Sequence, residues 1–163
     1  GLDKEGEYKI LVFDLGGVYF SDGTKIALEK MSNLLGVQKE RLEQLFQGKE
    51  GFLGGLFYRG KIKAEDFWKE VARELDISLS EALQLREIWY SSYVPIKGIN
   101  ELLQTLAKNY LLIVFSGNTK ERVEYLEKKY QFKQYFNAFV FSFDIGGTKK
   151  DKIFYDALIK PFL

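Results

Sequence analysis

A carboxylate after one apolar run, a serine after a second and a lysine beyond a third are the groups on which a chemistry could rest. Residues 9–13 (Lys-Ile-Leu-Val-Phe) lead into Asp14, followed at once by Leu15, Gly16 and Gly17. Residues 110–115 lead into Ser116, Gly117 and Asn118, and residues 138–143 lead into a Gly146-Gly147-Thr148-Lys149-Lys150 stretch. Apolar runs of this length read as strands of a parallel sheet, buried on both faces. Parallel strands end on one edge, where open α/β sheets bind ligands, so three groups distant in sequence converge. A carboxylate, a hydroxyl beside a helix start and an ammonium suit phosphoryl transfer. Asp14 would attack phosphorus to give an aspartyl-phosphate. Ser116 and the amides of Gly117 and Asn118 would take phosphate oxygens at the helix start, and Lys149 would neutralise charge. Gly16 and Gly17 allow a tight turn that brings amides close to a bound anion.

The elements that must position these groups follow from the residue spacing. From Thr24 onward Ala27, Met31, Leu34 and Leu35 share a helical face that Gly36 ends. Helices are expected over 39–46, briefly over 53–58 within a glycine-rich aromatic stretch, and around Phe67, Trp68, Val71, Ala72 and Leu75. Ser78 with Glu81 reads as a capping box opening a further helix through Leu85, Ile88 and Trp89. Pro95 marks a boundary, since the residue before a proline disfavours helix. Beyond it, helix and strand alternate. Ile99, Leu102, Leu103, Leu106 and Ala107 make an apolar stripe, Asn118 with Glu121 is placed to cap a helix carrying Val123, Leu126 and Tyr130, and a last helix holds Ile153, Phe154, Ala157 and Leu158. The order predicts an α/β fold with an all-helical insertion after its first strand. The core is assigned to 7–20 and 94–163, and the helical part to 21–93.

Composition removes other chemistries. The 163 residues include no Cys and no His, which excludes disulfides, thiol nucleophiles, Cys- or His-ligated metals and the Ser-His-Asp triad. A metal would be held by oxygen, which favours Mg²⁺ over transition metals. With 24 basic and 23 acidic residues the formal charge is +1, and with no clustered basic face the expected partners exclude nucleic acid. No apolar run reaches the roughly 20 residues of a membrane span, so no membrane partner and a cytoplasmic location are expected.

Taken singly, each residue has a plainer reading. Ser116 suits a turn hydroxyl, Lys149 a solvated lysine beside Lys150 and Lys152, and Arg59 a surface arginine. Phe52, Phe57 and Tyr58 suit a small helical core as well as a ligand wall. The specific signal is the three groups in order at successive strand ends.

At these residues the chain resembles the haloacid dehalogenase (HAD) superfamily, over nearly its whole length. Phe13-Asp14-Leu15-Gly16-Gly17-Val18 is similar to the first family motif, and Phe115-Ser116-Gly117-Asn118 to the second. Gly146-Gly147-Thr148-Lys149-Lys150-Asp151 is similar to the third, with Lys149 as the family lysine. Residues 59–62 with Phe67 and Trp68 resemble the small helical cap inserted after the first motif in one branch. The resemblance implies a Rossmann-like parallel sheet with a helical cap, and a hydrolase acting on a small phosphorylated metabolite. It further implies Mg²⁺ held by Asp14 and the Gly16 carbonyl, and substrate contacts from Gly17, Gly117, Asn118 and Arg59.

Two departures accompany it. Gly16 stands where many family phosphatases carry a second aspartate as general acid, a change that predicts slower loss of poor leaving groups by about 10²–10⁴-fold. The acidic fourth motif and its strand are absent, so the magnesium site is incomplete and the first strand becomes an open edge prone to pairing. A longer native polypeptide, a covering segment or self-association through that edge is therefore expected. The alternatives are a dehalogenase, whose halide leaves without a proton, and a non-catalytic member lacking its metal site. A phospho-receiver domain is disfavoured by the long helical stretch between Asp14 and Ser116.

Overall fold

The three apolar runs form three strands: β1 (Ile10–Phe13), β2 (Leu111–Ser116) and β3 (Ala138–Phe141). They make one parallel sheet in the order β1-β2-β3, with Phe13 opposite Val114 and Ser116 opposite Phe141. All three C-terminal ends therefore lie on one edge. The computed structural model describes residues 9–147 and Asp156. The expected last helix and Lys149 lie outside the described residues. β2 is central, and its Leu112, Ile113 and Val114 are buried. β1 is paired on one side alone among the described residues, and Val12 on it is half-exposed.

Five helices fill the interval between β1 and Pro95: α1 (Gly23–Leu35), α2 (Lys39–Phe46), α3 (Leu53–Tyr58), α4 (Ala64–Leu75) and α5 (Leu79–Ser91). Then come α6 (Ile99–Leu106), α7 (Lys120–Tyr130) between β2 and β3, and the single turn α8 (Ser142–Ile145). The architecture is the expected α/β, Rossmann-like arrangement with a helical insert. The Ser78–Glu81 capping box forms as expected. The Glu81 N–H donates to Ser78 Oγ at 3.0 Å and the Ser78 N–H donates to the Glu81 carboxylate at 3.1 Å. Among the described residues no helix is long and apolar enough to cross a membrane.

Three expectations are corrected. Leu34 and Leu102 do not join the core faces of their helices: α1 packs through Ala27, Leu28 and Met31, and α6 through Ile99 and Leu103. The third strand stops at Phe141 instead of Phe143, because the Ser142 hydroxyl bonds to groups outside the sheet and the chain turns into α8.

The insert is held by aromatic packing. Phe57 stacks on Phe67 at 4.2 Å, and Phe46 and Phe67 meet Trp89 and Trp68 edge-on at 5.1 and 4.9 Å. Such pairs are worth about 0.5–1.5 kcal/mol each beyond the area they bury. Gly54 and Gly55 are required by a close approach. A Cβ on either would come within 2.4 Å of the Gln47 carbonyl or 2.2 Å of the Lys49 carbonyl, so α3 lies directly against the 47–49 loop. The two chain crossings between insert and sheet run side by side. The Ser21 N–H donates to the Val94 carbonyl at 2.8 Å, and the Ile96 N–H donates to the Tyr19 carbonyl at 2.8 Å.

Three phenols are sealed in these cores. Burial pushes Tyr19 up to about 12, and burial likewise raises Tyr90 and Tyr93 above the ordinary value of 10.0. Below pH 10 all three are neutral in both folded and unfolded chains; above it the unfolded chain alone ionises, so stability falls as pH rises. The protein is expected to lose stability between about pH 10 and 12, with the last part of the phenolate absorbance, that of the buried rings, appearing together with loss of circular dichroism. Full phenolate absorbance from all ten tyrosines with the dichroism intact would count against this packing.

Candidate functional site

Asp14 follows the last residue of β1, and its Oδ1 accepts the N–H of Leu15 at 2.8 Å. The loop beyond folds on itself. The Leu15 carbonyl accepts the N–H groups of Val18, Tyr19 and Phe20 at 3.2, 3.0 and 2.9 Å. Gly17, at φ +79°, donates its N–H to the Phe20 carbonyl at 2.8 Å. The amide expected to reach a bound anion is thus used inside the loop. Gly16 is exposed, and its carbonyl accepts no hydrogen bond among the described residues.

At the end of β2, Ser116 and Asn118 are buried. Asn118 was expected to cap α7, but the cap is Thr119, whose Oγ1 accepts the Arg122 N–H at 3.2 Å. The reason is that Asn118 is engaged elsewhere. Its Oδ1 accepts from the Thr119 N–H and from Arg122 Nε, both at 2.9 Å, and its side-chain amide donates to Ser116 Oγ at 3.3 Å.

A cleft of about 1060 Å³ opens between this sheet edge and the insert. The core contributes Asp14 and Gly117, and the insert contributes Asp22, Lys25, Tyr58 and Arg59 among others. The Arg59 guanidinium donates to the carbonyls of Gly48 and Gly55 at 3.0 and 3.1 Å, which braces the glycine-rich wall. Ser142 ties the wall to the core. Its hydroxyl donates to the Tyr58 carbonyl at 2.7 Å and accepts the Asn118 N–H at 3.0 Å.

For a metal, Asp14 and the Gly16 carbonyl are hard oxygen donors of the kind Mg²⁺ takes. Mg²⁺ keeps several waters and uses one or two carboxylates with substrate phosphate, so this short donor set fits part of its shell. Among the described residues no group of three or more acidic, His or Cys side chains could form a cage.

The fold and this edge can be set beside known proteins. A HAD family enzyme from Bacteroides thetaiotaomicron, in complex with magnesium and inorganic phosphate, superposes with a TM-score of 0.76 at 20% identity, over 95% of this chain and 79% of that one. The chain has the fold of the haloacid dehalogenase (HAD) enzymes. A HAD-like family hydrolase from Porphyromonas gingivalis gives a TM-score of 0.69 at 17% identity, covering 95% and 76% of the two chains. The L-2-haloacid dehalogenase of Xanthobacter autotrophicus, with chloropropionic acid covalently bound, gives 0.62 at 15% identity, covering 96% and 65%. In sequence, an uncharacterised protein of Dictyostelium discoideum is 31% identical over 164 residues, 96% of this chain and 68% of that protein, and the two belong to one family. No protein-family profile matches the chain.

On this HAD fold, Asp14, Gly117 and Arg59 share the cleft. Ser116 and Asn118 are buried at its core end, Gly16 and Gly17 lie in the adjoining loop, and Lys149 lies outside the described residues. Tyr58, read from sequence as small-domain core or ligand wall, lines the cleft, while Asp22, Ser142, Glu121 as a partner of the insert and Arg122 were missed. Arg122 left one signal, since a cation in the first turn of a helix opposes the macrodipole and so calls for another explanation.

Replacing Ser142 by Ala removes the donor to Tyr58 and leaves buried backbone groups unpaired. It is expected to lower stability by about 1–3 kcal/mol in a denaturant titration. A loss below a few tenths would show that the seam between wall and core does not depend on this hydroxyl.

Proposed function

We propose that the chain is a Mg²⁺-dependent phosphatase-type hydrolase for a small phosphorylated metabolite, with Asp14 as nucleophile. The observation that carries this reading is the cleft itself. It is large, at about 1060 Å³, it has Asp14 at its core end, and its walls are rich in charged side chains such as Asp22, Lys25, Lys49 and Arg59. A 2-halo acid has about six heavy atoms and would fill little of such a space, and pockets for small ligands are predominantly apolar. A larger phosphorylated molecule matches the volume and gives the charged wall residues something to pair with. The phosphate in the Bacteroides complex supports the same class.

In this reading an Asp14 carboxylate oxygen attacks phosphorus in line with the departing oxygen and forms the aspartyl-phosphate. Water then cleaves that bond to release phosphate. Gly117 and Ser116 are assigned to the phosphoryl oxygens, Arg59 to the substrate at the insert wall, and Lys149 to charge neutralisation; the Asn118 amide, expected to join them, donates to Ser142 Oγ, so Asn118 holds the loop instead. The helices of residues 21–93 act as the cap. Asp14 and the Gly16 carbonyl would hold Mg²⁺, which would supply electrostatic stabilisation of the phosphoryl group. Gly16 provides no acid for the leaving group, and this one feature favours the dehalogenase reading, because halide leaves without a proton.

The test is turnover by the intact polypeptide. An aryl phosphate is expected to be hydrolysed with Mg²⁺ and faster than an alkyl phosphate, by up to about 10²–10⁴-fold. Asp14→Asn is expected to abolish hydrolysis, and Gly16→Asp to narrow the gap between the two substrates. Hydrolysis surviving in Asp14→Asn would overturn the mechanism, and metal-independent halide release from a 2-halo acid would favour the dehalogenase.

A further inference from the structure

Arg122, on the first turn of α7, is 2% exposed. Its guanidinium faces three aromatic rings, with Cζ 4.5 Å from the centroid of Tyr93, 4.9 Å from Trp89 and 5.1 Å from Tyr58. Nε donates to Asn118 Oδ1 at 2.9 Å, and one terminal nitrogen donates to the Tyr58 hydroxyl at 3.0 Å. The other terminal nitrogen has no partner among the described residues, and no carboxylate among them pairs with this cation.

A buried cation without a counter-charge is costly to desolvate, and stacked rings return part of that cost. Filling the space alone would be served as well by an apolar side chain. What a guanidinium adds is a planar fork with donors in fixed directions. Here the fork spans two elements that meet at the cleft. Asn118 belongs to the loop after β2, and Tyr58 ends α3 in the insert and lines the cleft. Arg122 itself is not among the residues lining that cleft.

We propose that Arg122 is the positioning residue of this site, setting the Asn118 loop of the sheet edge and the Tyr58 wall of the insert with one side chain. The proposal takes from the functional reading only the location of the site. Its test reads backbone exchange and not turnover, so an inactive protein and a wrongly assigned Arg122 give different results.

The Thr119 amide is a direct reporter, because it donates to the same Asn118 oxygen that Arg122 holds. Hydrogen exchange is compared in the intact polypeptide for the native sequence, Arg122→Met, Arg122→Lys and Tyr58→Phe. Methionine keeps the packing without charge or fork, and lysine keeps a cation among the rings without the fork. Both are expected to speed exchange at Asn118 and Thr119 at least about tenfold while α2 and α4 keep their protection. Tyr58→Phe removes one tine of the fork and is expected to give a smaller rise at the same amides. If methionine loosens the whole fold, the lysine variant decides. Native exchange at Asn118 and Thr119 in Arg122→Lys, or a rise spread evenly along its chain, overturns the proposal.

Discussion

The attachment of the helical insert to the sheet rests on two adjacent side chains of opposite charge at the start of α7. Glu121 reaches one way, accepting from Trp68 Nε1 and from the Tyr90 hydroxyl, both at 2.8 Å, with Arg86 3.6 Å away. Arg122 reaches the other way, into the rings of Tyr58, Trp89 and Tyr93. Hydrogen bonds to charged groups contribute about 1.5–3 kcal/mol each, more than neutral ones. The acid suits the positive end of the helix dipole and the base does not. The arginine is therefore tolerated there for what it touches, not for what it does to its own helix.

The wall of the cleft depends on this attachment and on how the insert is packed. The rings of Phe46, Phe57, Phe67 and Trp89 form a continuous aromatic core, so the helices move as a unit if they move at all. Against that core, the 47–49 loop and the paired glycines of α3 lie backbone to backbone. The Arg59 guanidinium adds donors to two carbonyls of this packing, those of Gly48 and Gly55. A thin, braced wall next to a rigid block keeps charged side chains facing the open space while the apolar mass sits behind them.

Much of this was legible in the sequence, for local reasons. The helices over 39–46 and 53–58 begin and end where spacing and glycines place them, and the Ser78–Glu81 box closes as its residue types require. The convergence of Asp14 and Gly117 followed from parallel pairing alone. Two of the failures are set by distant partners. β3 ends early because of a bond between Ser142 and Tyr58, 84 positions apart. Asn118 yields the cap of α7 to Thr119 because its oxygen serves a buried arginine whose other contacts lie in the insert. Residue spacing carries no record of such partners.

The paired crossings at Ser21–Val94 and Tyr19–Ile96 give the insert adjacent ends. A segment whose ends are held together can change in length or sequence without disturbing the sheet, since closing its loop adds little further cost. That geometry makes the insert interchangeable in principle, a cassette set into a fixed frame. The first turn of α7 limits the exchange. A foreign cassette spliced at the two crossings would meet Glu121 and Arg122 with neither indole nor phenol to receive them, leaving two charges stranded at the seam. The transferable unit is therefore discontinuous in sequence: the helices of the insert together with one turn of a helix that belongs to the frame.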